Sequence, residues 1–291
     1  MYFYTIIPQA KLPRNLAFGY TYCSEKILQR GDLVKIEFRR QTVLGLILRQ
    51  ADVTSATPGL KEIQSQEGSL PSYLVDLVEW LGAYYLTSPS FVWQMISPSL
   101  PARPRPIKFD SAHGLGVDYL KLKVTALALP LIKKILDQRE PRIDQINSLN
   151  LSTAARFITY IKSIEQTKKR GQSAILITPT VEQLAVLVKY FPPDWGNSVL
   201  IVSGDLYTNK NKYWNTWQKI LTSQEPLVIL GTRSAIFAPL PNLGLIIIDH
   251  AQSIDHKQYD QNPRYDARHV AEKISELTGC QLKLFCEGLY F

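Results

Sequence analysis

The sequence predicts an α+β protein, with a small β-barrel-like domain at its N-terminal end and an α/β lobe carrying a mostly parallel sheet behind it. Three observations predict this. The first fifty residues are rich in aromatic and β-branched types and alternate apolar with polar side chains at the two-residue period of half-buried strands. From about residue 153, short apolar strands alternate with amphipathic helical stretches, the pattern of a parallel sheet covered on both faces. Between them, Pro98-Ser-Leu-Pro-Ala-Arg-Pro-Arg-Pro106 can hold neither a helix nor a ladder and reads as a linker. The domains expected are 1–105 and 151–291, with 106–150 left as a linker of no assigned fold.

Taken in order, residues 2–7 (YFYTII) form the first strand. Leu33–Phe38 sets Leu33, Ile36 and Phe38 against Lys35 and Glu37, and Thr42–Leu48 follows the basic corner Arg39-Arg40-Gln41. This is a meander that folds into a small barrel or a curled sheet. Pro71 opens a helix over 72–86, with Leu74, Leu77, Val78, Leu81 and Tyr85 at helical spacing. Residues 107–150 offer one helix around 125–138. Phe157, Tyr160, Ile161 and Ile164 then make a helix face. Beyond it come a strand at Ala174–Ile177, a helix at Val181–Phe191, a strand at Val199–Val202 and a helix at Lys212–Leu221. Strands at Leu227–Leu230 and Leu243–Asp249, a helix at Ala267–Leu277 and a strand at Leu282–Phe285 complete the lobe.

Composition narrows the function. With 45% apolar and 20% charged residues, the 291-residue chain can bury a sizeable core, which excludes wholesale disorder. The longest uncharged apolar run, Val124–Ile132, contains a proline and is far shorter than the ~20 residues that span a bilayer. The start MYFYTIIPQA has no basic n-region or apolar h-region, so a cytoplasmic protein is expected. Cys23, Cys280 and Cys286 are odd in number and lack CxxC spacing, against both a disulfide framework and a structural zinc site. The net charge of +8 is unevenly spread: residues 1–49 hold eight basic and three acidic groups, and residues 101–143 nine and four. Such clustering suits a patch that neutralises phosphates, with ordinary surface lysines as the alternative.

The motif with chemistry in it is Gly231-Thr232-Arg233-Ser234-Ala235 after an apolar strand, followed by the strand ending in Asp249. C-terminal strand ends of an α/β sheet face its ligand crevice, so Arg233 and Asp249 belong at that edge. Asp249 reads either as a carboxylate beside a nucleotide's Mg²⁺ or as a cap of the next turn. The string GTRSAIFAPLPNLGLIIIDHAQ (231–252), with His256-Lys257-Gln258 and Pro263-Arg264-Tyr265-Asp266-Ala267-Arg268, resembles the helicase core of the PriA family, ATP-dependent 3′–5′ DNA helicases of replication restart. Independently, Leu12-Pro13-Arg14, Phe18-Gly19-Tyr20, Gly31–Phe38, Gly45, Leu60-Lys61 and Ala83-Tyr84-Tyr85 fall in order along that family's 3′-end DNA-binding domain. The resemblance implies such a domain followed by a RecA-like (P-loop NTPase-type) first motor lobe, with ATP and Mg²⁺ as the family's cofactors.

The departures decide what is expected. A GxTGSGKT loop, whose glycines let backbone N–H groups wrap phosphates, is replaced by Leu151-Ser-Thr-Ala-Ala-Arg156-Phe157. Arg156 stands for the phosphate-binding lysine and Phe157 for the metal-binding hydroxyl. The DEEH motif becomes Asp249-His250-Ala251-Gln252, and the Ser-Ala-Thr-Pro motif becomes Cys286-Glu287-Gly288-Leu289. The sequence stops at Phe291, before the family's second lobe and its zinc region. A vestigial nucleotide site of Arg156, Asp249 and His250 is therefore expected, with no catalytic residue, no metal and no resident ATP, Mg²⁺ or zinc.

The DNA-facing positions fare better. Arg14, Phe18 and Tyr20 fall where the family receives a 3′-terminal nucleotide, although its Asp is here Gly19. Phe18 and Tyr20 read as stacking rings or as barrel core. Lys61, Arg39 and Arg40 add charge. Lys257, Tyr259, Arg264, Tyr265 and Arg268, with Arg233, interleave cations and aromatics as a single-strand surface does, the alternative being a polar loop leading into a helix. Trp214 and Trp217 read as core or interface residues. The expected protein is a DNA-binding, primosome-assembly element of replication restart. Its partners would be branched, single-stranded or 3′-ended DNA and replisome or primosome proteins, with no membrane and no ATP hydrolysis of its own. A motor subunit completed by a second chain, and a replisome interaction scaffold, remain as the other readings.

Overall fold

The computed structural model describes residues 1–12, 19–51, 59–101, 133, 143–149, 151–204 and 208–287. Two units form. Met1–Pro106 with Tyr207–Leu221 and Asp260–Arg264 make the first; Ile107–Leu206, Thr222–Tyr259 and Tyr265–Phe291 make the second.

In the first unit the two-residue period becomes five antiparallel strands: β1 (Tyr2–Pro8), β2 (Tyr20–Ser24), β3 (Asp32–Phe38), β4 (Gln41–Gln50) and β5 (Ile63–Ser69), in the order β2-β1-β4-β3-β5. Tyr4, Ile6, Tyr22, Val34, Ile36 and Ile47 share one core. The two outer strands meet where Cys23 bridges Glu62 and the Cys23 N–H donates to the Lys61 carbonyl oxygen at 3.1 Å. That contact curls the sheet toward a barrel and shortens its open edge. Pairing of β3 with β4 runs down to Phe38 opposite Gln41, so Arg39 and Arg40 alone make the turn. Their φ angles of 48° and 62° lie in the left-handed region that a two-residue hairpin of this twist demands. β5 (IQSQEGS) has no strand pattern of its own; it forms by completing the free edge of β3, from Asp32 opposite Ser69 to Ile36 opposite Ile63. Helix α1 (Ser72–Tyr84) buries Leu74, Leu77, Val78 and Leu81, as the spacing predicts. Helix α2 (Pro89–Ile96) is absent from the sequence expectations. It starts on Ser88, whose Oγ accepts from the Phe91 N–H at 3.4 Å, with Pro89 in the first turn.

The second unit is built on six parallel strands, β6 (Ile143–Asn147), β7 (Ser173–Ile177), β8 (Val199–Val202), β9 (Val228–Gly231), β10 (Leu243–Ile248) and β11 (Gln281–Cys286), in the order β6-β11-β10-β7-β9-β8. Its helices α3 (Thr153–Lys169), α4 (Val181–Val188) and α6 (Ala267–Thr278) are each opened by a side-chain cap, from Ser152, Thr180 and Asp266. Phe157, Tyr160, Leu176, Leu230, Ile247 and Phe285 fill the layer between helix and sheet. Gly231, which begins the GTRSA motif, is needed for packing, since a Cβ there would overlap the Val202 carbonyl of the neighbouring strand. Strand β6 lies at the end of the 106–150 stretch, which the sequence leaves as linker or unassigned. Its alternation is disguised because Asp144 faces inward at 8% exposure, in register with Lys283 at 2%. The helix expected around 125–138 lies outside the described residues apart from Lys133.

A further correction concerns α5 (Lys210–Thr222), which the strand–helix alternation assigned to the α/β lobe. Residues 207–221 belong to the first unit, where Trp217 packs edge-on to Trp93 with ring centroids 6.5 Å apart and the Tyr213 hydroxyl donates to the Ile96 carbonyl at 3.0 Å. Trp214 and Trp217 are buried core residues there. Among the described residues, no helix is long and apolar enough to cross a membrane.

Candidate nucleic-acid interface

The closure between β2 and β5 leaves a cavity of about 370 Å³, walled by Tyr20, Thr21 and Tyr22 of β2, by Glu37, Phe38 and Arg39 at the end of β3, and by Gly59, Leu60 and Lys61. Tyr20 and Phe38 form a tilted aromatic pair with centroids 5.3 Å apart. The Arg39 guanidinium lies 5.2 Å from the Phe38 ring centre, and Arg40 beside it is exposed. Lys61 Nζ pairs with Glu37 Oε1 at 2.7 Å, both side chains being roughly half exposed. Behind them the Tyr22 hydroxyl donates to the Glu37 carbonyl oxygen at 3.0 Å. Burial, reinforced by Tyr20 and Glu37, pushes the Tyr22 phenol up to about 12, so it remains a donor at any physiological pH. A partly exposed ring, one arginine with a second at the adjoining turn, and an ammonium–carboxylate pair can take a base by stacking, a phosphate by charge and a hydroxyl by hydrogen bond.

Of the residues expected here, Tyr20, Arg39 and Lys61 meet in the cavity and Arg40 sits at its rim-forming turn; Arg14 and Phe18 lie outside the described residues. Gly19 has φ +93°, and a Cβ on it would overlap the Ile6 carbonyl, so no aspartate fits that position without backbone movement. Glu37 and Phe38 are missed by the sequence reading. Their signal is adjacency to the Arg39-Arg40 corner, which the alternation of β3 alone does not convert into a site.

The expected second surface is only partly a surface. Lys257 and Tyr259 are exposed, with the ammonium 5.6 Å from the ring centre, and Arg264 is exposed on the short segment that joins the first unit. The other three members are corrected by their contacts. Tyr265 is buried edge-on against Phe237 at 5.0 Å. Arg268 forks onto Asp266, with Nε to Oδ1 at 2.7 Å, and donates to the Ala251 carbonyl at 2.7 Å. Arg233 is held by Gln258, Nε to Oε1 at 2.6 Å. Arg268 braces the 254–268 segment with its donors engaged, while Arg233 is partly exposed and anchored through Nε.

At the strand ends of the second unit, Arg156, Asp249 and His250 do come together, joined by two groups the sequence reading gave no role. Arg156 Nη1 donates to Glu287 Oε1 at 2.9 Å, and its Nε lies 3.9 Å from Asp249 Oδ1. The Tyr160 hydroxyl donates to Asp249 Oδ1 at 2.6 Å; burial, and then the Asp249 charge, raise its pKa well above the ordinary value. His250 Nδ1 stands 3.5 Å from Glu287 Oε1, and His250 itself has φ 44°. Phe157 lies in the hydrophobic core with Tyr190 and Tyr160 against it. Among the described residues, no group of three or more His, Cys, Asp or Glu is arranged to hold a metal ion.

Known proteins are similar to this chain over both of its units. Residues 7–98 match the family described as the PriA 3′DNA-binding domain (3′BD). The replication restart protein PriA of Synechocystis sp. PCC 6803 is 40% identical over 115 residues, 40% of this chain and 14% of that protein. PriA of Bacillus subtilis 168 is 33% identical over 153 residues, 53% of this chain and 18% of its own length. PriA of Helicobacter pylori 26695 is 24% identical over 281 residues, 94% of this chain and 41% of that protein. The chain thus spans less than half the length of each of these relatives.

Proposed function

This chain belongs to the PriA family, and from that premise we propose that it is a DNA-binding protein of replication restart that seats the 3′ end of a strand in the barrel cavity and does not hydrolyse ATP itself. The observation that carries the reading is the cavity of about 370 Å³ between Tyr20, Phe38, Arg39 and Lys61, within the size range of small-ligand sites. The terminal base stacks on the partly exposed ring of Tyr20, which Phe38 backs from the core. Arg39 and Arg40 take the backbone phosphates, since Lys61 is already half neutralised by Glu37. Glu37 supplies the carboxylate that Gly19 does not: a sugar hydroxyl can donate to it, whereas a terminal phosphate is repelled. Lys257 and Tyr259, exposed on the second unit, are a separate candidate contact for single-stranded DNA, as Arg264 is on the first. Branched DNA and primosome proteins are the partners of this role, in the cytoplasm.

What supports the absence of hydrolysis is the strand-end cluster. The arginine in the place of the phosphate-binding lysine is spent on Glu287, the residue in the place of the metal-binding hydroxyl is a core phenylalanine, and no glycine wraps the turn.

Fluorescence anisotropy on single-stranded oligonucleotides tests the binding. Affinity should fall with salt at a slope near −0.7 per phosphate contacted, and a 3′-hydroxyl end should bind more tightly than a 3′-phosphate end. Glu37→Gln should erase that preference. Tyr20→Ala should weaken binding by about 1–3 kcal/mol, roughly 5- to 150-fold. No affinity at low salt overturns the reading, and DNA-stimulated phosphate release from Mg-ATP overturns its second half.

A further inference from the structure

The Arg156 guanidinium is buried at 8% exposure in the first turn of α3, and its Nε has no hydrogen-bond partner. It faces two carboxylates of unlike freedom. Asp249, 3% exposed, is fixed by the Tyr160 hydroxyl and by its own N–H, which donates to the Ile177 carbonyl at 2.9 Å. Glu287, 47% exposed, directly follows β11, with its N–H donating to Gln252 Oε1 at 3.3 Å. The first-turn N–H groups of a helix carry partial positive charge, so the beginning of α3 adds to the pull of the guanidinium on an anion. Only the outer carboxylate can leave.

We propose that Glu287 is an internal plug: its carboxylate holds the position on Arg156 that a phosphate oxygen of a pyrophosphate-type oxyanion would otherwise take. The proposal rests on the reading that this place does not turn over ATP, and says why. The Arg156 guanidinium is already set against two carboxylates, with His250 beside them, and a phosphate arriving at Nη1 meets the negative Glu287 before it meets the donor. Removing Glu287 frees Nη1 at the mouth and leaves Asp249 as its buried counter-charge.

The test titrates the full chain with inorganic pyrophosphate by calorimetry, wild type against Glu287→Ala and the neutral isostere Glu287→Gln, with circular dichroism checking the fold. The wild type should give no binding heat at millimolar pyrophosphate. Glu287→Ala should gain affinity at least tenfold, with Glu287→Gln between them. In parallel, phenylglyoxal labelling mapped by mass spectrometry should leave Arg156 unmodified in the wild type, modify it in Glu287→Ala, and spare it again when pyrophosphate is added. A folded Glu287→Ala with neither gain nor labelling at Arg156 overturns the plug while leaving the absence of hydrolysis intact. A wild type that binds and hydrolyses Mg-ATP overturns both.

Discussion

At the scale of single residues, Gly19 and His256 carry opposite kinds of constraint. Gly19 holds φ +93° with the Ile6 carbonyl where its Cβ would be, so Gly19→Ala should cost about 2 kcal/mol or more, read as a fall in the urea midpoint at unchanged m-value. The same substitution to aspartate should fail to restore a carboxylate to the cavity, since the strain moves the strand that forms its wall. His256 is fully buried, with Nε2 hydrogen-bonded to the Asp249 carbonyl at 2.9 Å; burial lowers its pKa below the ordinary 6.5. A base with a depressed folded-state pKa stabilises fully above 6.5, and that contribution is lost as pH falls through the folded value. Stability should therefore drop below pH 6.5 with a slope of up to about 1.4 kcal/mol per pH unit, and His256→Gln should flatten that segment of the profile. Asp266 acts in a separate, more acid window. Burial works to raise its pKa, but the Arg268 hydrogen bonds prevail and hold it below 3.8, so its share is kept above that pH and lost beneath it.

At the scale of elements, the β3–β4 hairpin sets stability against binding. Two arginines in the left-handed region cost about 1 kcal/mol each relative to residues suited to the turn, and a hairpin of this length favours Asn-Gly. Replacing Arg39-Arg40 by Asn-Gly should raise the melting temperature while weakening DNA binding and flattening the salt slope by up to about 1.4, the share of two phosphates on a single strand. Elements of this kind were legible in the sequence wherever period and burial agreed: β1, β3, β4, α1, and the apolar strands and capped helices from α3 to β11. They were illegible where a neighbour supplied the reason for folding. β5 is polar and exists because β3 has a free edge to fill. β6 turns Asp144 inward toward Lys283, which inverts the apolar pattern that a strand is recognised by. Burial raises the Asp144 pKa and lowers that of Lys283, each partly offset by the other's charge, so neither could have been assigned to an interior from its type alone.

At the scale of the whole molecule, the first unit is not a contiguous stretch of chain. Its helical layer borrows residues 207–221, and Trp217, 3% exposed, packs against Trp93. Trp217→Ala should cost about 3 kcal/mol or more by leaving a large cavity, and a fragment ending at residue 106 should melt well below the N-terminal transition of the full chain in calorimetry. The sequence by itself determined the α+β architecture and the likeness to the PriA family, because strand period, helix spacing and motif order are properties of neighbours in the chain. Tertiary structure alone decided which cations and aromatics are free to act. Tyr265 turned inward, Arg268 closed onto Asp266, Glu37 and Phe38 joined Tyr20 across a barrel seam, and Glu287 came to rest on Arg156, 131 positions away. A side chain's partner is set by where distant strands end in space, and no local pattern encodes that distance.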